Sequence, residues 1–124
     1  MALTNVAKHT LLSKLVGKAL PDHTITHLSL HTDNPGTTGA NEVTGGDPAY
    51  ARVSVTEADF DAPSGGEVEL NNDKQFNGPD SGAATHWGIW DGTDFLGFGS
   101  IAGDTSFNSS GEFVLQTGTK IVVN

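Results

Sequence analysis

The sequence predicts a mainly β protein: an antiparallel β-sandwich or jelly roll of about seven strands behind one N-terminal amphipathic helix. Three observations lead there. Apolar residues repeat with a period of two along most of the chain after residue 21, and with a period near 3.6 only before it. Turn sequences separate the period-two runs at spacings near ten residues, and no second helix is on offer for the crossovers that parallel strands require. Glycine supplies 16 of the 124 residues, while Leu, Ile, Val and Phe together number 29, which is enough for one core in one domain.

The elements follow in order. From Thr4 to Lys18 the residues favour a helix, with Thr4 as its N-cap and Pro21 forbidding continuation. Leu11, Leu12, Leu15, Val16 and Ala19 fall in an arc of roughly 140° at 100° per residue, with Lys14 and Lys18 on its flank. Lys8 lies in the same arc, so the first turn either frays or meets something other than the chain's own core. Residues 1–20 are therefore read as a helix and docking element, and residues 21–124 as the sandwich body. Strands are expected at Thr24–Thr32, Ala49–Glu57, Glu67–Asn71, Ala84–Asp91, Asp94–Ala102, Glu112–Thr117 and Lys120–Val123. Asp91-Gly92-Thr93-Asp94, Ser109-Ser110-Gly111 and Thr117-Gly118-Thr119 are the turn signals between the later ones. The long polar stretch from Asp33 to Pro48 is too rich in turn residues for a simple connection and reads as a functional or interface loop.

Charge narrows the function. Six basic residues stand against 15 acidic ones, for a net charge of −9, which repels nucleic acid and anionic lipid alike. The first 18 residues nevertheless carry +3 with no acid, beside −12 for the rest, an asymmetry that suits a docking element. No apolar run reaches the ~18 residues of a membrane span. Without cysteine there is no disulfide, thiolate nucleophile or cysteine metal site. The N-terminus shows no secretory leader pattern, so an unsecreted protein is expected and the acceptor-like Asn108-Ser109-Ser110 is read as chance.

Motifs that could carry chemistry each have a plainer reading. His23, His27 and His31 recur every four residues, but on a strand that spacing holds successive imidazoles about 13 Å apart, too far for one ion. They read as strand-face or interface histidines, or as ligands gathered from several subunits about an axis. Gly97-Phe98-Gly99-Ser100-Ile101-Ala102 fits a relaxed dinucleotide pattern but leads into no helix, so its glycines read as room for bulky neighbours such as Trp90. Asp59 with Asp61 and Glu67 with Glu69 could face one way like glycosidase acids, with nothing else supporting hydrolysis. The Asp91–Asp94 turn lacks the spacing of a calcium loop. No catalytic residue, cofactor site or metal site is assigned.

Two blocks carry a resemblance. Leu30-His31-Thr32-Asp33-Asn34-Pro35-Gly36-Thr37-Thr38-Gly39-Ala40-Asn41-Glu42-Val43, continuing through Gly45-Gly46 to Pro48-Ala49-Tyr50-Ala51-Arg52, resembles a family of small virion proteins of tailed bacteriophages, and Thr85-His86-Trp87-Gly88-Ile89-Trp90-Asp91 with Phe95-Leu96-Gly97 looks like a second block of it. Its members are labelled tail fibre or minor structural proteins, and some resemble head decoration proteins. The resemblance implies a non-enzymatic virion part, assembled in the host cytoplasm, with no catalytic residues to carry over. One compact domain suits a capsid decoration or cement protein, which stabilises a shell by binding the assembled lattice and not its free subunits. The alternative is a tail fibre or receptor-binding adsorption module, whose loops, Tyr50, Trp87 and Trp90 would touch a glycan or protein. The expected partner is the major capsid protein or a tail structural protein, with neither nucleic acid nor membrane, and Lys14, Lys18, Asn34, Pro35, Thr37, Tyr50 and Arg52 are the expected contacts. The resemblance also suggests a homo-oligomer, taken as a trimer.

Overall fold

The computed structural model describes residues 1–19 and 22–123. Its elements are β1 (Ala2–Leu3), α1 (Asn5–Val16), β2 (His27–His31), β3 (Val53–Ser54), β4 (Glu67–Glu69), β5 (Lys74–Asn77), β6 (His86–Asp91), β7 (Asp94–Ser100), β8 (Glu112–Leu115) and β9 (Lys120–Val122), with a 3₁₀ turn at Glu57–Asp59. A five-stranded sheet runs in the order β1-β7-β6-β2-β3, and two further ladders pair β4 with β9 and β5 with β8. All pairings are antiparallel, and the architecture is sandwich-like. One apolar cluster joins the layers. Leu28, Leu30, Trp87, Ile89 and Leu96 come from the large sheet, and Leu70, Phe76, Phe113 and Leu115 from the ladders or beside them. The register explains the cluster, because Leu28 lies opposite Ile89 and Leu30 opposite Trp87, so four large side chains share one face.

Each of the seven expected segments contains a strand, and nine strands form among the described residues. The two extra ones are invisible to a period-two reading: β1 is only two residues long, and β5 is the polar run Lys74-Gln75-Phe76-Asn77 with a single apolar anchor, the fully buried Phe76. The expected strand over Ala49–Glu57 shrinks to Val53–Ser54. Two segments share the outer edge of β2 instead. Beyond β3, the chain at residues 41–43 bonds to the other half, through Thr32 N–H to the Asn41 carbonyl at 2.8 Å and Val43 N–H to the Leu30 carbonyl at 3.0 Å. The Asp91–Asp94 signal makes the expected β6–β7 hairpin. Ser109-Ser110-Gly111 forms the expected tight turn, with Gly111 N–H on the Asn108 carbonyl at 3.0 Å and Asn108 N–H on the Glu112 carbonyl at 2.9 Å, whereas β8 and β9, which flank Thr117–Thr119, belong to different ladders.

The helix starts as expected and stops early. The Thr4 hydroxyl oxygen accepts from Ala7 N–H and donates to the carbonyl of Phe95, fixing the N-terminus to the sheet. Gly17 ends α1 in the left-handed conformation, φ 70°, with its N–H on the Lys14 carbonyl, so the helix does not run to Lys18. Pro21, the expected stop, lies outside the described residues.

Candidate functional site

Two surfaces deserve the name of site, one on α1 and one on the loop after β2. The helix is mounted in an unusual sense. Its half-buried or buried positions are Ala7, Thr10 and Ser13, small residues that bring the helix close to β7. The hydroxyls among them are satisfied locally: Ser13 donates to the His9 carbonyl at 2.7 Å, and Thr10 donates to the Val6 carbonyl while accepting from His23 N–H. The apolar arc points away. Leu11, Leu12, Leu15 and Val16 are 45%, 56%, 81% and 65% exposed. Lys8 and Lys18 are exposed with them, and Lys14 pairs with Asp22 at 2.8 Å, an exposed contact worth little. The first turn is helical and capped by Thr4, and Lys8 lies within an apolar stripe that the chain's own core leaves largely uncovered.

The loop is the reverse case, polar in sequence and fastened from within. Glu42 receives Arg52 in a two-pronged contact, with both nitrogens at 2.9 Å, and also the Tyr50 hydroxyl at 2.8 Å. The Tyr50 oxygen in turn accepts the Leu30 N–H at 2.9 Å, a β2 donor that lies between the two segments sharing that edge. Arg52 lies over Trp90 with its guanidinium carbon 3.4 Å from the ring centroid. Beneath, Trp90 Nε1–H donates to Ser29 Oγ at 2.8 Å, Ser29 pairs with His31 Nε2 at 2.7 Å, and His31 Nδ1 meets the Ala40 carbonyl at 2.8 Å. Since the indole only donates and the carbonyl only accepts, the chain has one direction: Trp90 to Ser29, Ser29 to His31, and His31 Nδ1–H to Ala40.

Burial sets the charges here. It lowers the His31 pKa, against the opposing pull of the Ala40 hydrogen bond and Glu42, so the ring is kept neutral. It would raise Glu42, but the hydrogen bonds from Arg52 and Tyr50 prevail and hold the carboxyl below its ordinary value. Burial also pushes the Tyr50 phenol far up, which keeps it a donor to Glu42. Ser29 and His31 form a hydroxyl–imidazole pair of hydrolase-like geometry, yet both are 0% exposed and the third partner is a carbonyl. No substrate reaches a sealed pair.

At the loop tip, the Pro35 carbonyl accepts from Gly39 and Ala40 N–H, Asn34 Oδ1 accepts from Gly36 N–H, and Asn41 Nδ2 donates to the Asn34 carbonyl. Gly39 is needed there, with φ 75° and a Cβ that would fall 2.4 Å from the Trp90 ring. Of the expected contacts, Asn34 and Thr37 are exposed at this tip, Pro35 is buried beneath it, and Tyr50 and Arg52 are spent on Glu42. Lys14 and Lys18 sit on the separate helical surface. Trp87 and Trp90 are each 5% exposed, which corrects the expectation that they touch a glycan or protein.

The remaining motifs resolve into structure. His23 Nδ1 lies 3.1 Å from Asp91 and 3.6 Å from Asp94, tying the segment after α1 to the β6–β7 turn. Asp59 is buried against Lys74 at 2.8 Å and takes Thr56 N–H and Asn72, which lowers its carboxyl to about 2, whereas Asp61 is exposed. Glu67 and Glu69 both hold Lys120. Gly97 makes room for the β1 backbone and Gly99 for Trp87, rather than for Trp90. Among the described residues, three of the surface depressions bear on function. A cleft of about 500 Å³ includes Asp104, Gln116 and Lys120. An apolar notch of about 140 Å³ between α1 and the body is lined by Leu3, Leu11, Ile25 and Val123. A groove of about 280 Å³ is lined by Ile25, Phe60 and Val68 with the exposed Glu57 and Asp61. The sequence reading missed this last groove, because its residues come from three separated segments.

A family described as podophage GP4 fiber I protein gp80 matches residues 2–122. The chain belongs to this family. Membership makes it a bacteriophage virion structural protein of the tail-fibre type, and it favours the fibre alternative over capsid decoration. No curated protein matches the chain significantly.

Proposed function

We propose that this chain is a non-enzymatic component of a podophage tail fibre, in which residues 1–20 serve assembly and the loop tip around Asn34 and Thr37 is presented outward. The family match across nearly the whole chain carries this reading. The structure agrees with it in kind. A fibre component needs a rigid body, one surface for joining the particle and another for outside contact, and the exposed helical stripe and the tethered tip are two such surfaces on separate elements. In this reading Lys14 and Lys18 flank the joining surface, Asn34 and Thr37 make contact directly, and Pro35, Tyr50 and Arg52 act by fixing the shape of the loop. The partners are other virion structural proteins, and assembly takes place in the host cytoplasm.

Labelling intact particles with gold-conjugated antibodies against this chain tests the reading in the electron microscope. Label on the fibres at the tail is expected. Label distributed over the capsid shell overturns it in favour of a decoration protein.

A further inference from the structure

We propose that the outward face of α1 docks into the Ile25–Phe60–Val68 groove of a second copy of this chain. The stripe is large and apolar, and the helix touches its own body chiefly through the opposite side, so among the described residues Leu12, Leu15 and Val16 stay mostly uncovered and only Leu11, at the edge of the notch, is half covered. The groove has the complementary chemistry: an apolar floor with two exposed carboxylates, Glu57 and Asp61, neither in an ion pair among the described residues. The stripe carries Lys8 within it, and Lys18 is exposed just past the Gly17 end of the helix, so the cations of one copy meet the acids of the next around an apolar centre. Packing α1 against α1 would satisfy the leucines but set Lys8 and Lys18 of one copy against those of the other, Lys14 alone having a partner in Asp22. The notch and groove share Ile25, and Leu11 borders the notch, so the apolar surface runs on from the stripe towards the groove.

The inference rests on the fibre reading's use of α1 as a joining surface and names its partner, but it is argued from the surfaces of one chain, so a failed association test leaves the labelling outcome untouched. Its test is a charge swap read by sedimentation velocity. Wild-type protein is expected to associate at micromolar concentration and to dissociate as salt rises, because the rim contacts are screened. Lys8→Glu/Lys18→Glu and Glu57→Lys/Asp61→Lys should each weaken association about tenfold or more, like charges now facing each other across the interface. All four residues are exposed, so both variants should keep the wild-type circular dichroism spectrum and melting temperature. Mixing the two variants in equal amounts restores opposite charges wherever the two alternate, and should recover association as a mixed assembly with an even number of copies or as an open chain. A wild-type chain that stays monomeric at about 100 µM, far above the dissociation constant of a micromolar contact, overturns the proposal. So does an acid-reversed variant that associates normally, or a mixture that fails to recover.

Discussion

The helix and the loop after β2 invert each other. On α1 the leucines face outward and two hydroxyl residues face the body; in the loop and the strand face beneath it, Glu42, Tyr50, Arg52, Ser29 and His31 turn inward. The difference teaches that hydropathy alone does not decide which side of an element is buried. Polar groups go inside where partners are geometrically complete, and the loop supplies a partner for each one. Small hydroxyl residues suit a helix docked at close range, because each satisfies its oxygen within the helix and leaves no bulk between helix and sheet.

The largest test of this contrast falls on Trp90, which carries the Arg52 stack, the Gly39 contact and the Ser29 hydrogen bond at once. Trp90→Ala should destabilise the protein by about 3–5 kcal/mol, the usual cost of deleting a buried large aromatic. Denaturant titration measures it, and a loss below about 1 kcal/mol would show that the loop is not fastened through this ring. Glu42→Gln comes next. It keeps the size but removes the charge that Arg52 and Tyr50 share, for an expected loss of about 1–3 kcal/mol by the same measurement. An unchanged midpoint would mean that Trp90 and the Gly92 carbonyl suffice to hold Arg52.

A smaller effect tests the loop's sealed interior by pH. His31 has a pKa lowered by burial, so between its unfolded value near 6.5 and its folded value the unfolded chain binds more protons. Stability from this group is present above pH 6.5 and is lost as pH falls through the folded value. Asp59 acts in a lower window, its share being present above its unfolded value near 4 and lost as pH falls through about 2. Ring nitrogen shifts of His31 in the folded protein should titrate below pH 6.5, and a midpoint above that value would contradict the sealed, neutral ring.

Much of the fold was legible because alternation and turns are local. The β6–β7 hairpin announces itself in Asp91-Gly92-Thr93-Asp94, and Thr4 as N-cap is equally plain. What escaped depends on contacts distant in sequence. β5 owes its place to Phe76 meeting the core and to pairing with β8, nearly 40 residues on, while its other residues look like a loop. The strand expected over Ala49–Glu57 carries good alternation, but Tyr50 and Arg52 are drawn to Glu42, and no rule of period two sees a carboxylate eight residues back. Of the two candidate surfaces, the stripe and its lysines were readable on a helical wheel, and the turn chemistry flagged the loop. The groove was not, since Ile25, Phe60 and Val68 converge only in the folded chain.

The smallest expected effect bears most directly on the helix. Leu15 is 81% exposed, so Leu15→Ser removes almost no buried area from the single chain. Below the concentration at which copies associate, its unfolding free energy should change by no more than about 0.5 kcal/mol, as for surface substitutions generally. At high concentration the wild-type chain should gain stability by mass action while the Leu15→Ser chain gains less, so the two melting curves separate only as protein is added. Melting curves across a hundredfold range of concentration check this. If Leu15→Ser melts early even in dilute solution, the stripe belongs to the protein's own core, and α1 ceases to be the counterexample to the loop.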